Sequence, residues 1–288
     1  MLPLKRQEPH PSHDAVARDL LEALRDEVLQ GKQASFANRE MWTLSYMPKS
    51  SVWKASWGPR EAGLYKRALV GADGLSQRAK CVWCEQLRSW KGELHVDHLR
   101  PKGVVSTWEG EPPEISDEPP RVVFVQQPGY WWLAYTWSNW NLACVGCNAH
   151  WKRCLLPRAP APHCHIEGVE QHETLHLLDP TQDFRTRDHF QWDFLGYMHS
   201  KSPVGRATII TCGLNRRELV AARLSKVPDV QRAIEHFEAA LASGHDDAMD
   251  REARRLAQLG AAHAEFAGMV RDLVETRFGE PWESLPFG

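Results

Sequence analysis

The chain has 288 residues, 42% hydrophobic and 25% charged, the balance of a globular protein that can bury a core without needing disulfides. Its formal net charge of −2 excludes a globally basic nucleic-acid coat and leaves room only for a local basic patch. No stretch approaches the roughly 20 apolar residues of a membrane span. "MLPLKRQEPHPSHD" has no apolar core of signal-peptide length, so the expected location is the cytoplasm. In that reducing compartment the seven cysteines read as metal ligands or buried thiols.

Pro3, Pro9 and Pro11 make residues 1–12 an extended arm. A helix is expected over 13–31, capped by Ser12 or Asp14, with Val16, Leu20, Leu21, Leu24 and Val28 at helical spacing. A second is expected over 58–80, running into the first cysteine pair. Residues 81–152 are dense in Cys, His, Asn and Trp, interrupted by "STWEGEPPEISDEPP" (106–120), whose prolines and acids predict a solvated insertion loop. By charge alone, that loop suggests a DNA mimic covering the functional site. "RVVFVQQPGYWWLAY" then predicts a strand followed by a turn. Residues 155–165 form a Pro-rich crossing, "TLHLLDPTQDF" and "HFQWDFLGYMHS" suggest a further strand or two, and Leu214–Ala242 and Asp246–Phe278 are each periodic enough for one long helix.

Cys81-Val-Trp-Cys84 and Cys144-Val-Gly-Cys147 are two CxxC knuckles. The two-residue gap lets both sulfurs of a pair reach one ion, and four thiolates suit tetrahedral Zn²⁺. The 59 residues between Cys84 and Cys144 are no obstacle, because loop-closure entropy grows slowly with length. "HVDHLRPKG" (95–103) lies between the knuckles and offers Asp97, a hard ligand for Mg²⁺ or Mn²⁺, beside His98, a side chain suited to deprotonating water. His95 reads as a surface or supporting residue. "YTWSNWNLACVGCNAHWK" adds Asn139, Asn141, Asn148, His150 and Lys152. A zinc ion joining the knuckles would carry Asp97, His98 and Asn148 to one place.

The order C-x2-C, D-H-x-x-P-K, W-x-N, C-x2-C-N and a following lysine resembles HNH endonucleases of the ββα-metal type. It is carried by Cys81, Cys84, Asp97, His98, Pro101, Lys102, Trp137, Asn139, Cys144, Cys147, Asn148 and Lys152. The resemblance implies an α+β fold in which a ββα core with a treble-clef-like zinc spans 78–155, flanked by an N-terminal helical region (1–77) and a mixed, then helical, C-terminal region (156–288). It implies that His98 is the general base, that Asp97 and Asn148 hold one divalent metal (Mg²⁺ or Mn²⁺) on the scissile phosphate, and that Asn139 braces the loop orienting His98. Lys102 and Lys152 would contact backbone phosphate, and His150 could replace or assist Asn148. Trp140 departs from the leucine usual after the asparagine. The segments "GYWWLAYTWSNWNL", "LLDPTQDF" and "GLNRRELVAAR" resemble a wider bacterial group that includes nucleases encoded beside ATPases in antiphage systems of the Septu and retron type. The expected activity is therefore metal-dependent DNA cleavage with an ATPase or another defence protein as partner and no membrane. Two rivals remain: a non-catalytic zinc-stabilised adaptor for nucleic acid or protein, which would need only the four cysteines, and an RNA-cleaving enzyme of the same type.

Elsewhere, Trp131, Trp132, Trp137, Trp140 and Trp151 are expected mostly to pack rather than stack on bases. His163, Cys164, His165, His172 and His176 offer a weak second metal motif, His172 and His176 being at i,i+4 spacing, but the histidines are expected to be solvent-exposed, and Cys154 and Cys212 to be ordinary thiols. Arg216, Arg217, Arg223 and Lys226 fall near one side of a helix, as phosphate contacts or as a solvated face.

Overall fold

The structure, a computed structural model, describes residues 1–3, 8, 9, 11, 13–29, 69, 78–89, 92–126, 129–157, 167–182 and 184–287. Most of the helix expected over 58–80 lies outside the described residues, as do His163, Cys164 and His165. The described chain is α+β: helices surround four two-stranded antiparallel sheets.

Helix α1 (His13–Leu29) buries Leu20 and Leu24, one turn apart on one face. Residues 78–80, expected as the end of a helix, are instead strand β1 (Arg78–Lys80), paired with β2 (Leu87–Ser89). The hairpin connecting them holds the first CxxC. Cys81 N–H donates to the Gln86 carbonyl at 2.9 Å, and Glu85 takes the left-handed conformation (φ 63°) that the tight reversal requires. A helix running into Cys81 could not make this reversal.

Strand β3 (Leu94–His98) pairs antiparallel with β6 (Trp140–Cys144). The register sets Leu94 opposite Cys144 and His98 opposite Trp140, and so joins the Asp97–His98 pair to the approach of the second knuckle. Directly after β6 the chain winds into Gly146–Lys152, a helical turn of π type. Strands β4 (Val105–Trp108) and β5 (Val122–Gln126) pair around the acidic segment, so its first residues, expected in a loop, are strand.

The rest of that segment is tied down. Glu114 accepts from Ser200 Oγ (2.6 Å), Arg206 donates to the Pro112 carbonyl (2.8 Å), and Asp117 accepts from Arg217 N–H (2.8 Å). These tethers hold the loop on the C-terminal elements.

The C-terminal region contains β7 (Phe190–Trp192) paired with β8 (Met198–Ser200), then helices α2 (Pro203–Cys212), α3 (Arg217–Leu224), α4 (Val227–Ser243), α5 (Asp246–Leu259) and α6 (Ala267–Phe278). Each stretch expected to form one long helix is broken in two. Pro228, in the first turn of α4, cannot continue α3, and Gly260 with left-handed Phe266 (φ 58°) separates α5 from α6. Gly213 ends α2 in the left-handed conformation, where a Cβ would come within 2.0 Å of the Trp151 ring. That close approach seats the turn after the second knuckle against the α2–α3 corner.

One apolar cluster runs from Met1 to Phe287 and includes both knuckles. Trp131, Trp132, Trp137, Trp140 and Trp151 are all buried, in the packing role expected of them.

Asp272 on α6 is buried and accepts the Trp192 backbone N–H at 2.7 Å. Burial pushes its carboxyl up to about 6 from the usual 3.8. A raised folded pKa means that the folded state holds the proton more tightly, so stability falls as pH rises from about 4 through about 6 and is level above. Asp272→Asn keeps an acceptor for Trp192 and has no charge to bury. It should gain about 2 kcal/mol at pH 7.5, a Tm rise of several degrees, and nothing at pH 4. Thermal melts of both proteins at the two pH values measure this. An equal Tm difference at both would refute the assignment.

Candidate metal centre and the adjoining His98 site

The Sγ atoms of Cys81, Cys84, Cys144 and Cys147 lie within 4.8 Å of one another, all buried. A tetrahedron with Zn–S bonds of about 2.3 Å has S···S edges of about 3.8 Å, and Cys84 Sγ and Cys144 Sγ are 3.8 Å apart. Backbone N–H groups already point at the sulfurs: Cys144 N–H donates to Cys81 Sγ (3.2 Å) and Cys147 N–H to Cys144 Sγ (3.5 Å). Burial pushes the Cys81 and Cys147 thiols well up, so four thiolates here require a cation to hold their charge. The donor set fits a structural metal such as zinc.

Asp97 lies beside this centre, 2% exposed, with both oxygens engaged. The Lys152 ammonium lies 2.9 Å from Oδ1, and Trp83, inside the first knuckle, donates its indole N–H to Oδ2 at 2.8 Å. Lys152 also donates to the His98 carbonyl at 2.7 Å. Its ammonium, expected on a phosphate, is thus completely buried and clamps β3 to the Gly146–Lys152 turn. Each carboxylate oxygen offers two acceptor sites, so one on each remains for another ligand.

His98 is half-buried, with Nε2 2.9 Å from the Ala134 carbonyl oxygen. A carbonyl only accepts, so Nε2 carries the proton and Nδ1 the lone pair. Trp140 donates its indole N–H to the same oxygen at 2.9 Å. Both N–H groups share this acceptor, which accounts for the 3.2 Å separation of Trp140 Nε1 from His98 Nε2. Burial first, then the charge of Lys102, holds the imidazole well below its ordinary 6.5, and the Ala134 hydrogen bond opposes them.

Asn139, buried immediately before β6, spans the loop that follows His98. Its Oδ1 accepts Arg100 N–H (2.8 Å), and its Nδ2 donates to the carbonyls of Arg100 (3.0 Å) and Leu133 (3.1 Å). Asn141 is also buried, opposite Asp97 in the strand register. Asn148 precedes Lys152 by about one turn on the same side of the helical segment. It is half-buried, and its amide hydrogen-bonds to none of the described residues. His150, two residues on, is exposed and falls on the far side from Asn148, and His95 is exposed on β3. Half-buried Lys102 has its pKa lowered by burial to about 8.

Away from this site, His172 and His176 are exposed, the first at the end of a 3-10 turn (Val169–His172) and the second beyond it, so they do not share a helix face. Arg216 and Arg223, read as phosphate contacts or a solvated face, are both buried, while Arg217 is exposed. The Ala134 carbonyl carries no sequence signal, because any residue supplies one. Trp83 was visible only as a knuckle residue.

No protein-family model matches the sequence, and no solved structure matches it. Among curated proteins, the chain is 29% identical over 160 residues to the Septu protein PtuB of Bacillus mycoides (strain KBAB4). The matched stretch is 53% of this chain and 48% of that protein, so the chain spans about half the length of the relative it matches.

Proposed function

We propose that this chain is an HNH-type, metal-dependent DNA endonuclease with a ββα-metal core, acting in antiphage defence as the name of its Septu relative suggests. The observation that carries the reading is the state of His98: a half-buried imidazole held neutral, whose Nε2–H is fixed on the Ala134 carbonyl and whose Nδ1 keeps its lone pair. That is the form a base must take before it removes a proton from water. It stands at the end of β3, which pairs with β6 and leads through the four-cysteine centre into the turn bearing Asn148.

In this reading His98 Nδ1 takes the proton of the attacking water, and Asn139 keeps the loop after His98 from shifting. Asp97, through its remaining lone pairs, and Asn148, through its amide oxygen, would hold the divalent cation. A bound Mg²⁺ or Mn²⁺ would supply charge stabilisation for the phosphorane and the leaving 3′-oxygen. Lys102 contacts backbone phosphate. Lys152 acts on the scaffold, through Asp97 and the His98 carbonyl. A partner from the same defence system would govern when the enzyme fires.

The test is conversion of supercoiled plasmid to open or linear DNA with EDTA, Mg²⁺ or Mn²⁺. His98→Ala should reduce the rate about 10²- to 10⁴-fold without lowering the Tm enough to explain it. Because the folded imidazole titrates well below 6.5, the rate should stay level as pH falls from 8 through 6.5 and drop only at lower pH. An acid limb centred at or above 6.5 would contradict the assigned base.

One observation favours a second reading. Asp97 has both oxygens engaged, as it would in a purely structural pair, and this suits a non-catalytic zinc-stabilised adaptor. Under that reading no metal produces nicking, and wild type and His98→Ala bind DNA or a protein partner alike.

A further inference from the structure

The motif "GLNRRELVAAR" (213–223) places two arginines inward, and neither has a part in the proposed cleavage. Arg216, at the α2–α3 corner, is 4% exposed. Its guanidinium NH1 lies 3.4 Å from Cys147 Sγ, and the same nitrogen reaches the carbonyls of Gly213 (2.9 Å) and Cys212 (3.3 Å). Its Nε bonds Glu218 at 2.7 Å. A Cβ on Gly146, inside the second knuckle, would come within 3.2 Å of NH2, so the guanidinium lies against the backbone of that knuckle. Arg223, 2% exposed, is held nearby by the carbonyls of Leu214 (2.7 Å) and Gly196 (3.3 Å).

Four thiolates around Zn²⁺ carry a net charge of −2, and burying that charge without a counter-charge is strongly unfavourable. An arginine cannot lose its proton in a protein, and the one carboxylate paired with Arg216, that of Glu218, is largely exposed, so a buried anionic centre is a counter-charge that solvent does not screen. Each of these groups resolves the other's problem. An N–H···S bond from a cation also draws electron density from the sulfur, as partners of metal ligands do generally.

We propose that Arg216 is the charge partner of the four-cysteine centre, binding its thiolate complex through Cys147 and making retention of the metal depend on the docked α2–α3 corner. The assignment rests on the metal centre and not on nuclease activity, so a failed cleavage assay leaves it untouched.

The experiment uses the 288-residue chain loaded with zinc. It measures zinc per chain and the rate of transfer to an excess of a chromophoric chelator, for wild type, Arg216→Met and Arg217→Met. Arg217→Met removes the same charge from an exposed position on the same corner. Arg216→Met should release zinc about 10- to 100-fold faster, and Arg217→Met should match wild type. With Co²⁺ in place of zinc, Arg216→Met should move the thiolate-to-metal charge-transfer band to longer wavelength, a change that loosened packing alone does not produce. If Arg216→Met fails to fold, Arg216→Lys carries the test. It keeps the charge without the planar fork, and should release zinc about tenfold faster than wild type. Unchanged release from a folded Arg216 variant, or equal acceleration by Arg217→Met, overturns the proposal. A wild-type chain that retains no zinc overturns it as well, by removing the centre it serves.

Discussion

Removing the metal from the four-cysteine centre should unfold the core. The four sulfurs come from a β-hairpin turn and from a strand end that runs into a helical turn, with 59 residues between Cys84 and Cys144, and all four are buried, where thiolates without an ion would be poorly solvated. Structural zinc sites of this kind contribute on the order of 10 kcal/mol in isolated peptides. Even half of that is a large part of the total stability of a typical domain. The chain purified from zinc-containing medium should hold one zinc, and a chelator strong enough to remove it should lower the Tm by well over 10 °C. Cys84→Ser, Cys144→Ser should reproduce the loss with no chelator present. Because burial raises the Cys81 and Cys147 thiols, binding must expel their protons, so the metal should be held more weakly as pH falls. A zinc-free chain with the same Tm before and after chelation would eliminate the centre.

The second large effect belongs to Lys152. Its ammonium and the Asp97 carboxylate are both removed from water, 2.9 Å apart, and the lysine also satisfies the His98 carbonyl. Lys152→Met leaves a buried carboxylate with one indole N–H as its partner, and breaking such a pair from one side typically destabilises by about 3–5 kcal/mol. In a chain of this size that corresponds to a Tm about 10 °C lower. Adding Asp97→Asn should recover most of the loss, because the amide needs no cation and still accepts from Trp83. The double variant should nevertheless remain unable to nick DNA if Asp97 also holds the catalytic cation, which separates scaffold from site. A Lys152→Met protein as stable as wild type would show that the pair is not what holds β3 to the Gly146–Lys152 turn.

The residues whose chemistry is tied to their type were legible in the sequence. Two CxxC pairs have few uses in a reducing compartment, and the structure brings all four sulfurs together. Tryptophans at 131–151 are too large to leave in water, and they are buried. What sequence did not disclose was the inside of the protein as seen by a charge. Lys152, Arg216 and Arg223 sit at spacings that serve equally for a solvated face, and only the tertiary fold supplies Asp97, Cys147 and the Leu214 carbonyl as their partners. The Ala134 carbonyl that fixes the His98 tautomer is invisible for a different reason, being a backbone atom 36 positions away. The helix breaks have a local cause: the apolar period runs on through Ser225–Lys226 and Gly260 while the helical backbone does not, and Pro228 has no N–H with which to join α4 to α3. The acidic segment carried its composition plainly, but not the tethers from Ser200, Arg206 and Arg217 that hold it on the C-terminal elements.

The contact between Arg216 and Cys147 also sets an order of events during synthesis. The two residues are 69 positions apart, and a ribosome adding about 5–20 residues per second needs several seconds to cover that distance. Throughout that interval the nascent chain has all four thiols outside or entering the exit tunnel, able to meet an ion or an oxidant, while the cation that completes their surroundings has yet to be made. Translation pauses between codons 148 and 216 would lengthen that exposure, and faster decoding there would shorten it.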